Sequence, residues 1–570
     1  MDLYKPILKI KSLKVDYKIN SDWFTGIDRI SLCQKRGKNI GIIGESGSGK
    51  TTLAHSIMGL IDSPHKISGE ILYEGVNLMS ISNKDKKKIL WNDIALVFQN
   101  SLEVLNPIMS VGKQLTERLV EINGITKKEA EKEQIRLLRM VDLEEKWKDA
   151  FPHQLSGGMR QRVLIAMAIS CKPKLVIFDE PTSSMDAILK KKTIKLIKRL
   201  QQNLKFSMIV ISHDLSIMKE IVDSINVMYA GSVIESGSVN DIINNPKHPY
   251  TRGLINSSVE ILPYKDLWGI PGEVTSAYCQ GCSFAPRCTQ SQEKCFKEKP
   301  ELKKIGINRE IACHRGGIIK LLDVKNIQKN FKIRNKFINA VNDVSFCINH
   351  GETVALVGQS GSGKSTIAKI VSGYLPGDKG KVYFEQKKVI YDKVAKLEEG
   401  IQIVLQDPFS ALSHRLRVEE IIKEPLEINK IGSKEERNKR VKKALRDVQL
   451  PQSNEFLNRF CNTLSGGQRQ RVAVARALVM KPKILIADEV TSMLDLSTQA
   501  NMIRLLKGLQ NRQGFAMLYI THDIYLSRKI CERIIVLENG EIVDMGSSNQ
   551  IIEEAYSQST KRLVEAGLNK

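Results

Sequence analysis

Two glycine-rich stretches with the same pattern are the feature that most constrains this sequence. The first runs from Gly44 to Thr51, and the second, from Gly358 to Ser365, begins 314 residues later. Each follows an apolar run typical of a buried strand and precedes a segment with the composition of a helix. A nucleotide-binding loop, or P-loop, requires this strand–loop–helix context. The two copies therefore predict two α/β nucleotide-binding domains in tandem.

The residue types within each loop match the chemistry of a phosphate site. The glycines allow backbone N–H groups to wrap around a β-phosphate, and the following lysine would contact the β- and γ-phosphates. The hydroxyl next to that lysine, on Thr51 or Ser365, could ligate Mg²⁺. The predicted nucleotide-binding residues are Gly44, Ser46, Gly47, Gly49, Lys50, Thr51 and Thr52 in the first loop, and Gly358, Ser360, Gly361, Gly363, Lys364, Ser365 and Thr366 in the second.

Length and composition agree with two domains that do not cross a membrane. A chain of 570 residues is too long for one core, and it holds no apolar run near the roughly twenty residues that span a bilayer. Residues 1–16 lack the continuous apolar core of a secretion signal, so we expect a cytosolic protein. The net charge of +24 could attract nucleic acid or an anionic membrane surface. No basic segment is interleaved with aromatic residues, and we expect no nucleic acid as partner.

Further paired residues flank the two loops. Tyr17 and Phe331 each follow a predicted strand, 27 residues before the first glycine of their loop. These rings could stack on adenine, or they could simply pack at a strand edge. Gln99 and Gln406 each end an apolar run, so their side-chain amides could reach the metal ion or its water.

Each half also contains a Leu-Ser-Gly-Gly motif at the start of a predicted helix. Ser156 and Ser465 are good N-caps, and the paired glycines, which include Gly158 and Gly467, permit close approach. The bare N–H groups of such a helix start form a second anion site, although capping alone would also explain the motif.

Two adjacent carboxylates stand at the end of a buried strand in each half. Asp179 and Asp488 are predicted to bind Mg²⁺, because buried acids are costly unless they are paired or bind metal. Glu180 and Glu489 are predicted to orient and deprotonate the attacking water.

One strand later the two halves carry His213 and His522, which could contact the γ-phosphate or serve as structural histidines. The serines of the motifs, the aspartates and the histidines are all separated by 309 residues. The chain is therefore interpreted as a tandem duplication.

The loop, the glutamine, the Leu-Ser-Gly-Gly motif, the Asp-Glu pair and the histidine, in this order and present twice, resemble the ATP-binding cassette (ABC) family over nearly the whole chain. The resemblance implies two RecA-like P-loop cassettes, each with a helical subdomain, that bind ATP and Mg²⁺. It also implies that the loop of one cassette binds ATP together with the Ser-Gly-Gly helix of the other. One site would join Lys50, Thr51, Gln99, Asp179, Glu180 and His213 with Ser465 and Gly467, and the other would join Lys364, Ser365, Gln406, Asp488, Glu489 and His522 with Ser156 and Gly158.

One departure from the family pattern is Met159, which stands where a glutamine usually follows the motif. This leaves open whether the two sites turn over equally.

A cluster of cysteines marks the region between the cassettes. Five of the ten cysteines lie between residues 279 and 313, and a reducing cytosol disfavours disulfides there. An iron–sulfur cluster or a zinc ion is predicted, with buried thiols as the alternative. The predicted ligands are Cys282, Cys288, Cys295 and Cys313.

The sequence around these cysteines resembles the C-terminal extension of the ATPases that drive oligopeptide, dipeptide and nickel importers. The resemblance is carried by residues 246–254 and 281–288 and by the segments 99–107 and 406–412. It implies a 4Fe–4S cluster in the extension, two transmembrane permease subunits and an extracytoplasmic solute-binding protein as partners, and a peripheral location at the cytoplasmic face of the cell membrane. The alternative is a soluble twin-cassette ATPase that acts in translation or ribosome recycling.

The predicted organisation is a first cassette over residues 1–258, a Cys-rich extension over 259–315, a linker over 316–319 and a second cassette over 320–570. Apolar residues after the two glutamines are expected to line the grooves that receive permease helices. They are Leu102, Val104, Leu105, Phe409, Ala411 and Leu412.

Overall fold

The computed structural model describes residues 5–568 except 62–63, 99–103, 184, 260, 263, 267–268, 273–279, 334–335, 408–411 and 493. The chain divides into two compact units. The first comprises residues 1–262, 272–286 and 292–317, and the second comprises residues 263–271, 287–291 and 318–570.

The first unit contains twelve named strands: β1 (Pro6–Ile19), β2 (Asp22–Lys35), β3 (Asn39–Ile43), β4 (His65–Tyr73), β5 (Val76–Asn77), β6 (Ile94–Val97), β7 (Leu175–Asp179), β8 (Ser207–Ile211), β9 (Ser224–Tyr229), β10 (Ser232–Ser238), β11 (Leu302–Gly306) and β12 (Arg309–Ala312). They form an antiparallel sheet of order β2-β1-β4-β5 and a larger sheet of order β11-β12-β10-β9-β3-β8-β7-β6. In the larger sheet the strands from β9 to β6 are parallel.

The second unit repeats this plan with β13 (Lys320–Ile333), β14 (Lys336–Asn349), β15 (Thr353–Val357), β16 (Lys379–Phe384), β17 (Lys387–Lys388), β18 (Ile401–Val404), β19 (Ile484–Asp488), β20 (Ala516–Thr521), β21 (Arg533–Glu538) and β22 (Glu541–Ser547). One sheet has the order β14-β13-β16-β17, and the other has the order β18-β19-β20-β15-β21-β22. The strands from β18 to β21 are parallel.

Helices connect the strands in both units. In the first unit they are Lys50–Met58, Asn83–Asn92, Val111–Asn123, Lys127–Met140, Gly157–Ile169, Ala187–Leu204, Leu215–Ile221, Val239–Asn244, Pro249–Asn256 and Glu293–Lys297. In the second unit they are Lys364–Val371, Val418–Ile428, Lys434–Asp447, Asn454–Leu457, Gly466–Leu478, Leu496–Gln513, Ile524–Ile530, Ser548–Glu553 and Gln558–Leu568. The fold is therefore the predicted pair of α/β nucleotide-binding domains.

The parallel strands place the predicted site residues at one edge of each sheet. Every residue of β7, β8, β15, β19 and β20 is buried, as expected for parallel strands covered on both faces. In the first unit β8 lies between β7 and β3, so the segments that follow these three strands emerge side by side. Those segments carry the Asp-Glu pair, His213 and the P-loop, and ligands bind at such carboxyl ends.

Residues 111–149, which precede the first Ser-Gly-Gly motif, form two helices and a short 3-10 helix. The first helix ends at Gly124, whose φ of +64° closes it. Thr126 and Glu129 then form a capping box that starts the second. Because a capping box satisfies two exposed N–H groups, the break between the helices is set by the local sequence.

The segment after the first cassette adds two strands to the main sheet, which the sequence did not predict. In β12, Ile311 and Glu310 pair with Glu235 and Ser236 of β10, and β11 pairs with β12. Residues 292–317 of the Cys-rich extension are thus joined to the first cassette through a shared sheet, whereas residues 287–291, which include Cys288, belong to the second unit.

Candidate active site

The lysines of both P-loops are folded against their own loop. Lys50 Nζ donates to the carbonyl oxygens of Gly44 at 2.8 Å and Glu45 at 3.0 Å. Lys364 Nζ makes the matching bonds to Gly358 at 2.9 Å and Gln359 at 2.8 Å. Burial lowers the pKa of both lysines, although neighbouring acids oppose that shift. A phosphate oxygen would offer each amine a charged acceptor, which is stronger than a neutral carbonyl.

Glycine is required at the end of each loop for two reasons. Gly49 and Gly363 have φ values of +95° and +103°, a region that other residues adopt only with strain. A Cβ at Gly49 would also lie 2.4 Å from Gly26 O, and one at Gly363 would lie 2.3 Å from Ala340 O. The tight path of the backbone before each lysine therefore depends on these two glycines.

The geometry around the two aspartates fits a Mg²⁺ site. Asp179 hydrogen-bonds the Thr51 side chain, and Asp488 hydrogen-bonds the Ser365 side chain. Burial raises the pKa of both aspartates. Their Oδ1 atoms are buried and have no hydrogen-bond partner among the described residues. A buried carboxylate oxygen without a partner is costly unless a cation lies beside it, so these residues fit the ion.

The glutamates that follow have a strained backbone in both cassettes. Glu180 has a φ of +50° and Glu489 has a φ of +45°. The Glu180 N–H donates to Ile211 O at 2.9 Å, and the Glu489 N–H donates to Ile520 O at 3.0 Å. Left-handed backbone in non-glycine residues is uncommon and is often found at functional sites.

The two glutamates have different side-chain partners. His213 Nδ1 lies 2.8 Å from Glu180 Oε2, and this hydrogen bond raises the pKa of His213. In the second cassette, Gln406 Nε2 donates to Glu489 Oε2 at 2.9 Å. Both histidines, His213 and His522, are exposed. Gln99 lies outside the described residues, so its predicted role stays a prediction.

The two predicted adenine-stacking rings lie on the antiparallel sheets. Tyr17 is half-buried, and a Cβ at Gly26 would lie 2.8 Å from Tyr17 Cε2 and 3.4 Å from Thr52 Cγ2. The ring is therefore close to the helix that follows the first P-loop. Phe331 is also half-buried, with Lys329 Nζ 5.7 Å from its ring centroid. Neither position decides between stacking on adenine and packing.

The Ser-Gly-Gly motifs start helices as predicted. Ser156 accepts a hydrogen bond from Met159 N–H at 3.3 Å, and Ser465 accepts one from Gln468 N–H at 3.3 Å. Gln468 Oε1 accepts from Ser465 N–H in return, a capping box that Met159 cannot form because its side chain lacks a comparable acceptor.

Within each motif the two glycines have different surroundings. A Cβ at Gly158 would lie 3.2 Å from Leu189 Cδ2, and one at Gly467 would lie 3.2 Å from Thr498 Cγ2. A Cβ at Gly157 or Gly466 would meet nothing within 4 Å. The first glycine of each pair thus faces open space, which the sequence pattern could not show.

Comparison with known protein families shows which family this chain belongs to. The family described as ABC transporter matches residues 27–183 and 341–492, which together form more than half of the chain. The chain belongs to the ABC transporter family. A second family, described as the oligopeptide/dipeptide transporter C-terminal region, matches residues 234–295.

Curated relatives of this ABC protein align over almost its whole length. The glutathione import ATP-binding protein GsiA of Salmonella typhimurium is 33% identical over 99% of this chain and 89% of its own length. The peptidoglycan transport ATP-binding protein YejF of Agrobacterium fabrum is 32% identical over 99% of this chain and 97% of its own. The oligopeptide transport ATP-binding protein OppD of Mycobacterium tuberculosis is 32% identical over 98% of both chains.

A solved bacterial ABC transporter cassette is 36% identical, covers 40% of this chain and 98% of its own, and has a TM-score of 0.37. Family membership makes the chain an ATP-hydrolysing transport ATPase, for which ATP and Mg²⁺ are the expected cofactors. Among its described residues, no helix is long and apolar enough to cross a membrane.

The predicted iron–sulfur or zinc site is not supported. Among the described residues, no group of three or more His, Cys, Asp or Glu side chains is arranged to hold a metal ion. The Cys282 N–H donates to Cys295 O at 2.7 Å. Burial, with a smaller contribution from the neighbouring Cys295 and Cys313 thiols, raises the pKa of the Cys282 thiol to about 11. The structure does not gather Cys282, Cys288, Cys295 and Cys313 into a metal site.

The prediction that Leu105 and Leu412 line permease grooves is wrong. Leu105 is 2% exposed and Leu412 is 4% exposed, and Leu412 packs in the core shared by the second sheet and its helices. Both apolar side chains are used inside their own cassette. Val104 is exposed, whereas Leu102, Phe409 and Ala411 lie outside the described residues.

Proposed function

We propose that this chain is the ATPase subunit of an importer that takes up peptides or related small solutes through separate membrane permease subunits. The main support is the similarity to GsiA, YejF and OppD over the whole chain, whose names cover glutathione, peptidoglycan and oligopeptide transport. The match to an oligopeptide/dipeptide transporter region agrees with it. The chain would act at the cytoplasmic face of the membrane and work with an extracytoplasmic solute-binding protein.

The solute class follows from what these relatives share. Glutathione, oligopeptides and peptidoglycan fragments all contain amide bonds between amino acids, whereas a metal ion or chelate does not. We therefore favour a short peptide over nickel as the imported solute. Uptake of labelled glutathione, a tripeptide and nickel into vesicles that contain the whole transporter would identify the class.

The proposed hydrolysis uses the same groups in both cassettes. Lys50 and Lys364, which the loop carbonyls hold in place, would use their remaining N–H donors on the β- and γ-phosphates. Thr51 with Asp179, and Ser365 with Asp488, would hold Mg²⁺, which neutralises phosphate charge when it is bound. The Glu180 or Glu489 carboxylate would accept a proton from water as the water oxygen attacks the γ-phosphorus and ADP leaves.

The partners of each glutamate would position it for this proton transfer. His213 holds the Glu180 carboxylate at 2.8 Å, and Gln406 holds the Glu489 carboxylate at 2.9 Å. A base that is already held in one orientation loses less entropy when it aligns with the attacking water. We further propose that the helix starts at Ser156 and Ser465 each offer backbone N–H groups to a nucleotide phosphate. The open space at Gly466 and Gly157 supports this proposal.

Permease contact is proposed at the segment next to residues 99–103 in the first cassette. Ile108 is 82% exposed and Val104 is 38% exposed, and both follow Gln99, after which the sequence predicts apolar residues that meet the permease. The chain offers a matched control, because Ile307 is 94% exposed in the turn between β11 and β12.

Co-expression with the permease subunits, followed by membrane fractionation, tests this contact. We expect wild type and Ile307→Asp to pellet with membranes that contain the permease, and Ile108→Asp to be released with ATP binding intact. Recovery of wild type with ribosomes instead of membranes would contradict the importer function and favour a role in translation. If both variants stay with the membranes to the same extent, the proposed contact at Ile108 is wrong but the importer function still stands.

A further inference from the structure

A buried tyrosine that follows strand β10 in the chain contacts the first P-loop. Tyr250 is fully buried, and its hydroxyl accepts a hydrogen bond from the Glu45 N–H at 2.8 Å. The two residues are 205 positions apart in sequence. Tyr250 lies in the helix Pro249–Asn256, which comes after β10 and before the cysteine-containing segment, residues 282–313.

This hydrogen bond acts on a peptide group that also holds the P-loop lysine. The amide that joins Gly44 to Glu45 donates its N–H to Tyr250, while its carbonyl, Gly44 O, accepts from Lys50 Nζ at 2.8 Å. The peptide plane is therefore fixed at both ends. Because a peptide group is planar, a hydroxyl that holds the N–H also sets the direction of the carbonyl.

Tyr250 is itself held by an aromatic cluster. Its ring centroid lies 4.7 Å from that of Tyr229 and 5.5 Å from that of Phe284, and Phe284 lies 5.6 Å from His248. All four residues are at most 3% exposed. Phe284 belongs to the cysteine-containing segment, since the Phe284 N–H hydrogen-bonds the Cys282 thiol. Edge-to-face packing of this kind leaves the tyrosine little freedom.

The start of the helix is fixed from the opposite side. The buried Glu235 carboxylate accepts from the N–H groups of Lys247 and His248, both at 2.8 Å. His248 Nδ1 then accepts from the Tyr250 N–H at 3.1 Å. The hydroxyl of Tyr250 is consequently aimed at the loop by bonds to its own backbone as well as by packing of its ring.

The second cassette has the same helix start but lacks the tyrosine. Asp544 Oδ2 accepts from the Ser557 N–H at 2.9 Å, as Glu235 does from His248, so Ser559 takes the position of Tyr250. A cavity of about 110 Å³ lies there, lined by Gln359, Ser360, Ser559 and Leu563 among others. Within the described part of the chain, the Gln359 N–H, which matches that of Glu45, has no hydrogen-bond acceptor.

We infer that Tyr250, supported by Phe284, is a positioning residue that holds the first P-loop in its nucleotide-binding shape, and that the second P-loop lacks this support. The inference rests on the proposal that both loops bind ATP. It makes the two sites unequal before any nucleotide binds, and it links the cysteine-containing segment to the first site alone.

Nucleotide titration of the full chain with trinitrophenyl-ATP tests the inference one site at a time. Lys364→Ala is used to silence the second site. In that background we expect Tyr250→Phe, which removes only the hydroxyl, to weaken binding about three- to tenfold, the effect of one lost neutral hydrogen bond. Phe284→Leu should weaken binding in the same direction. The thermal midpoint of Tyr250→Phe should fall by only about 2–4 °C, because the ring remains and a single hydrogen bond is lost.

The matched control is Ser559→Ala with the first site silenced by Lys50→Ala. It removes the hydroxyl at the equivalent position and should leave binding at the second site unchanged. Binding by Tyr250→Phe within twofold of its parent, while the parent itself binds, would overturn the inference and leave the proposed function standing. A Lys364→Ala parent that binds no nucleotide would overturn the proposed function and the inference with it.

Discussion

At the scale of single residues, Glu180 and Glu489 reach the same backbone conformation in different surroundings. Both have a left-handed φ and both donate their N–H to the neighbouring strand, β8 or β20. Their carboxylates differ, because one meets a titratable imidazole and the other meets a neutral amide. Among the described residues, no histidine hydrogen-bonds the Glu489 carboxylate, so we expect the first site alone to respond to pH in this way.

His213 is expected to titrate above its ordinary pKa of 6.5, because its hydrogen bond to the Glu180 carboxylate favours the charged ring. A raised pKa in the folded state means that this pair stabilises the fold fully at pH below 6.5. That stabilisation is lost as the pH rises through the raised value.

NMR titration of the His213 ring tests this expectation. Glu180→Gln should lower the pKa of His213 towards 6.5, since the carboxylate is gone and the side-chain shape is kept. A His213 pKa that is the same in wild type and Glu180→Gln would contradict the pairing.

Residue identity and spacing predict candidate site residues but not their contacts. The matched offsets in the sequence identified both loops, both acid pairs and both histidines. The choice of partner for each glutamate depends on side-chain directions after β7, β8 and β19, which periodicity does not encode. The same limit explains why Leu105, apolar in a polar-looking segment, was assigned to a surface although it is buried.

At the scale of elements, the hairpin β11–β12 ties the cysteine-containing segment to the first cassette. Arg309 in β12 donates to the buried Glu235 carboxylate of β10 at 2.7 Å, and these side chains are 8% and 0% exposed. Continuous apolar runs predicted the parallel strands, but β12 pairs with a strand more than 70 residues upstream. Such long-range pairing has no local sequence signal.

Loss of the Glu235 carboxylate should strongly destabilise the first cassette. Glu235→Ala removes the closer of the two carboxylates beside buried Arg309, the other being Asp241 at 3.7 Å. It also removes the acceptor of two backbone N–H groups, so we expect a loss of about 3–5 kcal/mol in the free energy of unfolding. Hydrogen exchange of the slowest amides in β7 and β8 would measure it, since such amides report global opening.

Glu133→Gln is the control for this measurement. It breaks the more exposed ion pair with Arg136, whose side chains are 27% and 62% exposed, and it should cost no more than about 1 kcal/mol. Equal effects of Glu235→Ala and Glu133→Gln would show that the buried pair does not hold the hairpin.

At the scale of the whole molecule, the chain is a duplicated cassette whose halves have diverged around a common plan. The order of sheets and helices is repeated, and both P-loops, both aspartates and both glutamates keep their geometry. The differences lie at Met159, at the partners of the two glutamates and at Tyr250 against Ser559. Duplication was evident from spacing alone, whereas divergence at the level of contacts required the structure.

The central claim is that both cassettes hydrolyse ATP to drive import, and steady-state ATP turnover of the assembled transporter tests it most directly. Glu180→Gln and Glu489→Gln should each lower turnover and peptide uptake together. Removal of a general base typically costs about 10²–10⁴-fold. Glu293→Gln, an exposed acid in the cysteine-containing segment, should match wild type. Wild-type turnover in either single glutamate variant would contradict the claim, because that cassette would then contribute no hydrolysis.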